Sequence, residues 1–231
     1  MMKKAITTGA TGLILVLGVL TVNGWGGTTT PSVASKNLRT TGTGTVPIKE
    51  NEQYKVVSVG QVVPGREVEV VEFFSFACPH CAHLEPLLQE WKKHLPGGAV
   101  FRRVPVIFRP QWLNLAKVYY TLEALNLSSL DSEVFKAIHE QKQDLSNSEV
   151  FIKWLVKQHV DEKKARMTYE SFAVNTKALQ AKVIAQQLHI EGVPTFIVGG
   201  RYMTDVSMAG SPEKLPAVLN QLIILAQKNR S

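Results

Sequence analysis

The chain has 231 residues, 45% hydrophobic and 19% charged, which is enough apolar material for one ordinary domain with its own core and too much for a disordered chain. Lysine and arginine (26) exceed aspartate and glutamate (19), for a net charge of +7. The basic residues form no long block, so nucleic acid is not expected as a partner. The only two cysteines are Cys78 and Cys81; one chain can therefore build neither a multi-bridge scaffold nor a four-cysteine zinc site.

Residues 1–24 join Lys3 and Lys4 to an unbroken apolar run over 12–22, and no further charge appears before Lys36. This is the pattern of a secretory signal peptide or an uncleaved N-terminal anchor, and it points to export. Residues 25–52 start with a Gly-, Thr- and Ser-rich stretch without apolar period and read as a flexible leader.

The folded body is expected from residue 53. A short strand is predicted over 54–59, a turn at Pro64-Gly65, and a strand over 68–76 that becomes apolar on both faces, as in a strand buried inside a sheet. At Cys78 the period turns helical. Residues 79–95 predict a helix with Pro79 at its first position and Pro86 as a kink, followed by a strand over 99–108 in which Pro105 signals irregularity or an edge. Helical spacing then recurs over 112–125, 131–141, 149–159, 161–172 and 175–188, with a capping box at Ser146 and Glu149. A hairpin over 194–203 turning at Gly199-Gly200, and a helix over 211–228, complete the chain.

The chemistry concentrates at Cys78-Pro79-His80-Cys81. A Cys-x-x-Cys pair at a helix start puts two sulfurs one turn apart and faces the first toward the unpaired N–H groups of the opening turn. Those amides, the helix dipole and the His80 imidazole favour a thiolate at Cys78, while Cys81 turns toward the protein. Cys78 is then the exchanging sulfur and Cys81 the resolving one. A structural disulfide would close too small a loop to constrain much chain. A metal site built on Cys78, Cys81 and His83 lacks a second cluster. Covalent haem attachment would need histidine at position 82, which is alanine.

Phe73-Phe74-Ser75-Phe76 before the Cys78-Pro79-His80-Cys81 motif, and Gly192-Val193-Pro194 entering a strand after a long helical stretch, resemble the DsbA family of exported thiol oxidases. The resemblance spans the chain from about Gln53 onward. It implies an α/β thioredoxin-like fold in two parts, 53–110 and 191–231, around an inserted all-helical domain over 111–190. Further implications are a periplasmic location, a redox-active Cys78–Cys81 disulfide in place of any cofactor or metal, unfolded exported proteins as substrates, a DsbB-like membrane quinone reductase as reoxidant, and a monomeric state. A Cys78 thiol lowered to about 4 would lie some three units below neutral pH, worth about 4 kcal/mol or roughly 90 mV toward oxidation. A reductase or isomerase would use the same cysteines with a higher Cys78 pKa, and a peptide-binding chaperone would not need the sulfurs.

The resemblance also assigns single residues. Pro194 takes the place of a cis-proline that lies against the sulfurs and, with Val193, aligns the incoming peptide. Glu72, six residues before Cys78 in the apolar strand, is a candidate proton acceptor for Cys81, the alternative being a strand-edge carboxylate reaching water. Glu85 and Arg103 align with a charged pair near the family's active site, although a solvated helix face is an equal reading for Glu85. Pro105 stands where the family often has histidine, and the second cysteine pair of some members is absent. His83, His94, His139, His159 and His189 read as solvated.

Overall fold

A computed structural model describes residues 47–57 and 67–229. The signal or anchor, most of the leader and the Pro64-Gly65 turn lie outside the described residues.

The apolar strand of the sequence is β2 (Val68–Phe74), buried along its length. Its two faces enter two cores. Val68 and Val70 pack with Leu84, Leu88, Trp91 and Phe196, whereas Val71 and Phe73 pack with the helical segment. Double-sided cover is why the strand reads as a continuous apolar run and not an alternating one. With β1 (Lys55–Val56), β3 (Ala99–Pro105), β4 (Thr195–Val198) and β5 (Tyr202–Asp205), it forms a five-stranded sheet in the order β1-β5-β4-β2-β3. Only β2 and β3 run parallel; the other pairs are antiparallel. Pro105 is accommodated because β3 is an edge strand, where a missing N–H breaks no ladder on the open side. The register puts Glu72 opposite Arg103. Side chains alternate along a strand, so both emerge on the face that carries Val70.

That face is covered by α1 (Pro79–Lys93), with Pro79 in its first turn. Cys81, Leu84, Glu85, Leu88 and Trp91 are buried at the i, i+3, i+4 spacing of one stripe. Pro86 lies on the exposed side and the helix runs on past it.

Five helices follow, α2 (Trp112–Ala124), α3 (Asp131–His139), α4 (Ser148–Lys157), α5 (Glu162–Tyr169) and α6 (Phe172–Gln187). All five expected helices form, with ends displaced by caps. The capping box at Ser146 does not form. Asn147 is the N-cap instead, accepting from the Glu149 and Val150 N–H groups, and the Ser146 hydroxyl bonds Asp144. The buried stripe of α6 is Val174, Ala178, Ala181 and Ala185, small residues that let α2 pack closely against it. Among the described residues no helix is long and apolar enough to cross a membrane.

The C-terminal helix is shorter than its pattern predicts. A short α7 (Val206–Ala209) and a 3-10 turn precede α8 (Leu215–Lys228). Pro216 falls in the first turn of α8, the position where its missing N–H costs no helical hydrogen bond.

The β4–β5 hairpin turns on Gly199 and Gly200, both with positive φ (59° and 66°), the geometry of the tight two-residue hairpin. A Cβ on Gly199 would lie 2.9 Å from the Ala226 Cβ of α8. Gly199→Ala is therefore expected to lower stability by about 1–3 kcal/mol in urea denaturation. Gly97→Ala, where nothing lies within 4 Å, should change it by no more than about 0.5 kcal/mol.

Candidate active site

Where β2 gives way to α1 the chain makes a tight turn. The Ser75 hydroxyl accepts from the Ala77 N–H at 3.1 Å and the Ser75 carbonyl accepts from the Cys78 N–H at 3.0 Å. This turn sets Cys78, in extended backbone, at the N-cap of α1. Cys81 falls one turn later, on the stripe that faces the core. The two free thiols thus sit in different surroundings. Cys81 is 1% exposed and Cys78 is 7% exposed, while Pro79 and His80 between them are exposed.

Cys78 is more enclosed than a freely accessible outer sulfur. The loop before β4 closes over it, and the Cys78 thiol donates to the Val193 carbonyl at 3.4 Å. The Val193–Pro194 peptide bond in that loop is cis, and Thr195 fastens the loop through its hydroxyl to the Gly192 carbonyl at 2.8 Å. A groove lies between the motif's His80 and the cis-proline loop, lined by Leu84, Ile190, Val193, Pro194 and Met208 among others.

The surroundings separate the two thiols electrostatically. A hydrogen bond from the Cys81 thiol, helped by the N–H groups of Cys81 and His80 and by the His80 charge, brings Cys78 down to about 6 against the opposing effect of burial. Burial, the thiolate of Cys78 and the negative charge of Glu72 push the Cys81 thiol far above its ordinary value. At neutral pH the pair therefore holds one charge, on the outer sulfur.

Beneath the thiols lies a buried ionic cluster. The Arg103 guanidinium, 4% exposed, donates through Nε to Glu72 at 2.6 Å, through Nη1 to Asp131 at 3.2 Å, and through Nη2 to Glu85. Glu72 is fully buried and Glu85 is 3% exposed, so neither is the solvated carboxylate that the sequence left open. Glu85 also accepts from Ser132 at 2.6 Å and from Gln89 at 2.5 Å. Burial works against its ionisation, but the Arg103 charge and these hydrogen bonds hold Glu85 below the usual carboxylate range. Burial raises Glu72 despite Arg103, and raises Asp131 to about 6.

Two neighbours went unseen in the sequence. Asp131 opens α3 and reads there as an ordinary acidic residue of a first helical turn; its burial depends on how α3 packs on α1. His139 is half-buried rather than solvated. Its Nε2 lies 2.8 Å from the Phe76 carbonyl oxygen, just before the motif. His83, His94, His159 and His189 are exposed.

Comparison with known proteins agrees with this geometry. Residues 69–220 match the DSBA-like thioredoxin domain. The chain is 39% identical over 166 residues to the thiol:disulfide interchange protein DsbA of Bordetella parapertussis, covering 71% of this chain and 79% of that protein. It is 34% identical to the DsbA of Pseudomonas syringae pv. tomato, covering 77% and 84%. Among solved structures it resembles Pseudomonas aeruginosa DsbA with a TM-score of 0.69 at 33% identity, over 78% of this chain and 93% of that one. The oxidoreductase DsbA1 of N. meningitidis gives 0.68 at 31% identity, over 79% and 95%.

The unequal thiols have a direct spectroscopic consequence. In the reduced protein, thiolate ultraviolet absorbance is expected to rise in one step centred at about pH 6, vanish in Cys78→Ser, and show no second step from Cys81 while the fold persists. Because the Cys78 pKa falls from 9.0 to about 6 on folding, its contribution to the reduced protein's stability is complete above about pH 9 and disappears as pH falls through about 6. Urea midpoints of the reduced protein and of Cys78→Ser should accordingly diverge as pH rises across that window. A thiolate midpoint of 8 or above would contradict this assignment.

Proposed function

Since the chain belongs to the DsbA-like thioredoxin family of thiol:disulfide interchange proteins, we propose that it works as a dithiol oxidase that donates a Cys78–Cys81 disulfide to unfolded proteins exported to the periplasm. The observation that carries this reading is the inequality of the two sulfurs. A substrate thiolate attacks Cys78, forming a mixed disulfide and expelling Cys81 as a thiolate that takes up a proton. The substrate's second thiolate then attacks its own sulfur in the mixed disulfide, closes the substrate disulfide and expels Cys78 as the stable thiolate. Glu72, buried beside Arg103 and electrostatically coupled to Cys81, is the proton partner of that inner sulfur. Val193 and Pro194 present the loop against which the substrate chain lies, and His80 stabilises the outer thiolate.

The size of the effect follows from pH. With Cys78 at about 6, only about one unit lies below neutral pH. After allowance for the solvent that reaches the sulfur, this stabilises the dithiol by on the order of 1 kcal/mol, or roughly 20–30 mV. The direction favours disulfide donation, with a milder push than a thiol near 4 would give. The donor disulfide is the only redox group this mechanism uses. Reoxidation by a DsbB-like, quinone-linked membrane protein closes the cycle.

An equilibrium redox titration against glutathione tests direction and tuning together. The disulfide form is expected to be the more oxidising partner and to unfold at lower urea than the dithiol form; a disulfide form more resistant to unfolding would sink the oxidase reading. Cys81→Ser should accumulate mixed disulfides with exported proteins and Cys78→Ser none. Full folding of client proteins by Cys78→Ser would point instead to a chaperone.

A further inference from the structure

Three carboxyl groups surround one guanidinium beneath α1, and their charges do not balance. Glu72 from β2, Glu85 from α1 and Asp131 from α3 all bond Arg103 from β3, and none is more than 5% exposed. Among the described residues, Lys92 on α1 also acts on Glu72 and Asp131 electrostatically, and Asp131 acts on Tyr119 of α2. With all three ionised, Arg103 and Lys92 would leave one negative charge uncompensated, which is not sustained in a dry interior, so a proton stays on the cluster. Glu85 is not the group that keeps it. Both of its oxygens are engaged, one by Arg103 and the other by Ser132 and Gln89.

Glu72 and Asp131 differ from Glu85 in the same way. Each meets Arg103 through one oxygen and leaves the other buried with no partner, Oε1 in Glu72 and Oδ1 in Asp131. A single guanidinium therefore stands between two under-satisfied carboxyls, holding Glu72 through Nε and Asp131 through Nη1. Ionisation of either one draws on the shared charge and makes the other a poorer site for an anion, so the two titrate as a pair.

We propose that Asp131, although it contacts neither sulfur, is a positioning residue for thiol exchange: its carboxylate occupies Arg103 from the α3 side and so keeps Glu72 protonated, poised to protonate Cys81. The inference rests on the reading of Glu72 as the proton partner of Cys81. In the step concerned, the attacking thiolate forms a bond to Cys78 and the Cys78–Cys81 bond breaks with both electrons on Cys81. The Cys81 thiolate takes the Glu72 proton, and Glu72 is left as a carboxylate on Arg103 until a solvent proton restores it. Asp131 acts before this step, by withholding part of the guanidinium from Glu72.

Single-turnover oxidation of a dithiol peptide by the disulfide form, measured from about pH 5 to about pH 8 for the wild type and each variant, tests this. In Asp131→Asn the guanidinium is freed for Glu72, which then loses its proton at lower pH. The variant's rate relative to wild type is expected near parity at the acid end and about tenfold lower at neutral pH, with Asp131→Glu restoring most of the loss. A rate ratio independent of pH, even with a lowered unfolding midpoint, would make Asp131 merely structural and overturn the proposal. Glu72→Gln separates the two levels. If it removes the pH-dependent component while Asp131→Asn leaves the profile unmoved, the inference fails and the reading of Glu72 stands; if Glu72→Gln itself leaves the profile unmoved, that reading fails and the inference with it. Should Asp131→Asn not fold, carbon-13 carboxyl NMR of the labelled wild type decides: Glu72 and Asp131 are expected to shift together in two steps, and a single independent step at Glu72 would overturn the coupling.

Discussion

The Arg103 guanidinium is the constraint on which this architecture turns. It bonds carboxyls from a central strand, from the helix that carries the thiols, and from a helix of the all-helical segment. For all three to reach one planar group, β3 must register Arg103 opposite Glu72, α1 must lie with Glu85 facing the sheet, and α3 must pack against α1. Buried ion pairs of this kind seldom stabilise a fold more than apolar packing of the same volume, because desolvation offsets most of the attraction. Breaking one by removing a partner is another matter and typically costs about 3–5 kcal/mol. The cluster fixes geometry more than it adds stability. The rings of Phe74, Phe101 and Phe135 around the guanidinium sharpen that effect by excluding water and supporting the cation through their faces.

The inequality of the thiols grows out of the same arrangement. One helix carries both sulfurs, and its apolar stripe dictates which is sheltered. Cys81 shares the stripe of Leu84 and Leu88 and must face the core, whereas Cys78 precedes the first turn and meets its free N–H groups. Burial alone would raise both thiols. The hydrogen bond that the Cys81 thiol donates to the Cys78 thiolate reverses the sign for one of them, and the N–H groups of the helix start assist. Glu72 bears on the inner sulfur, because once ionised its charge opposes a second thiolate there. A cationic partner in place of Glu72 would narrow the gap between the sulfurs and weaken the preference for a dithiol with one charge.

Local pattern revealed the strand–helix junction, the motif and the helical segment, while the role of Pro194 in the second loop came from the resemblance. Each of the first three depends on neighbours in sequence, such as the apolar run ending at Cys78 or the 3.6-residue period after Trp112. Features set by distant neighbours did not show. Asp131 has the same local surroundings as any acidic residue in a first helical turn, and only the packing of α3 on α1 buries it. Glu85 was undecided for the same reason, because its stripe contains Leu84 and Leu88 while its chemistry alone suggests solvent. Asn147 displaced the expected cap at Ser146 through a one-residue choice that propensity does not resolve. Glu72 was more legible than the other charged residues, since a carboxylate inside an apolar strand points to the interior, although a strand-edge position reaching water stayed open until the sheet showed β2 between β4 and β3.

The enclosure of Cys78 bears on how strongly the site is tuned. A hydrogen bond to the neutral form of an acid opposes its ionisation, and the Cys78 thiol has such a bond to the Val193 carbonyl. When the thiol loses its proton that carbonyl faces an anion and repels it. The same loop removes water that would otherwise solvate the thiolate. Both effects oppose the helix start, and both come from the segment across the sheet rather than from the motif. A thiol at about 6 is thus the balance between a local sequence that favours the anion and a tertiary contact that does not. Two chains with the same four-residue motif can then differ in oxidising strength according to how closely the loop before Pro194 is held, and the Thr195 hydroxyl ties this loop to Gly192.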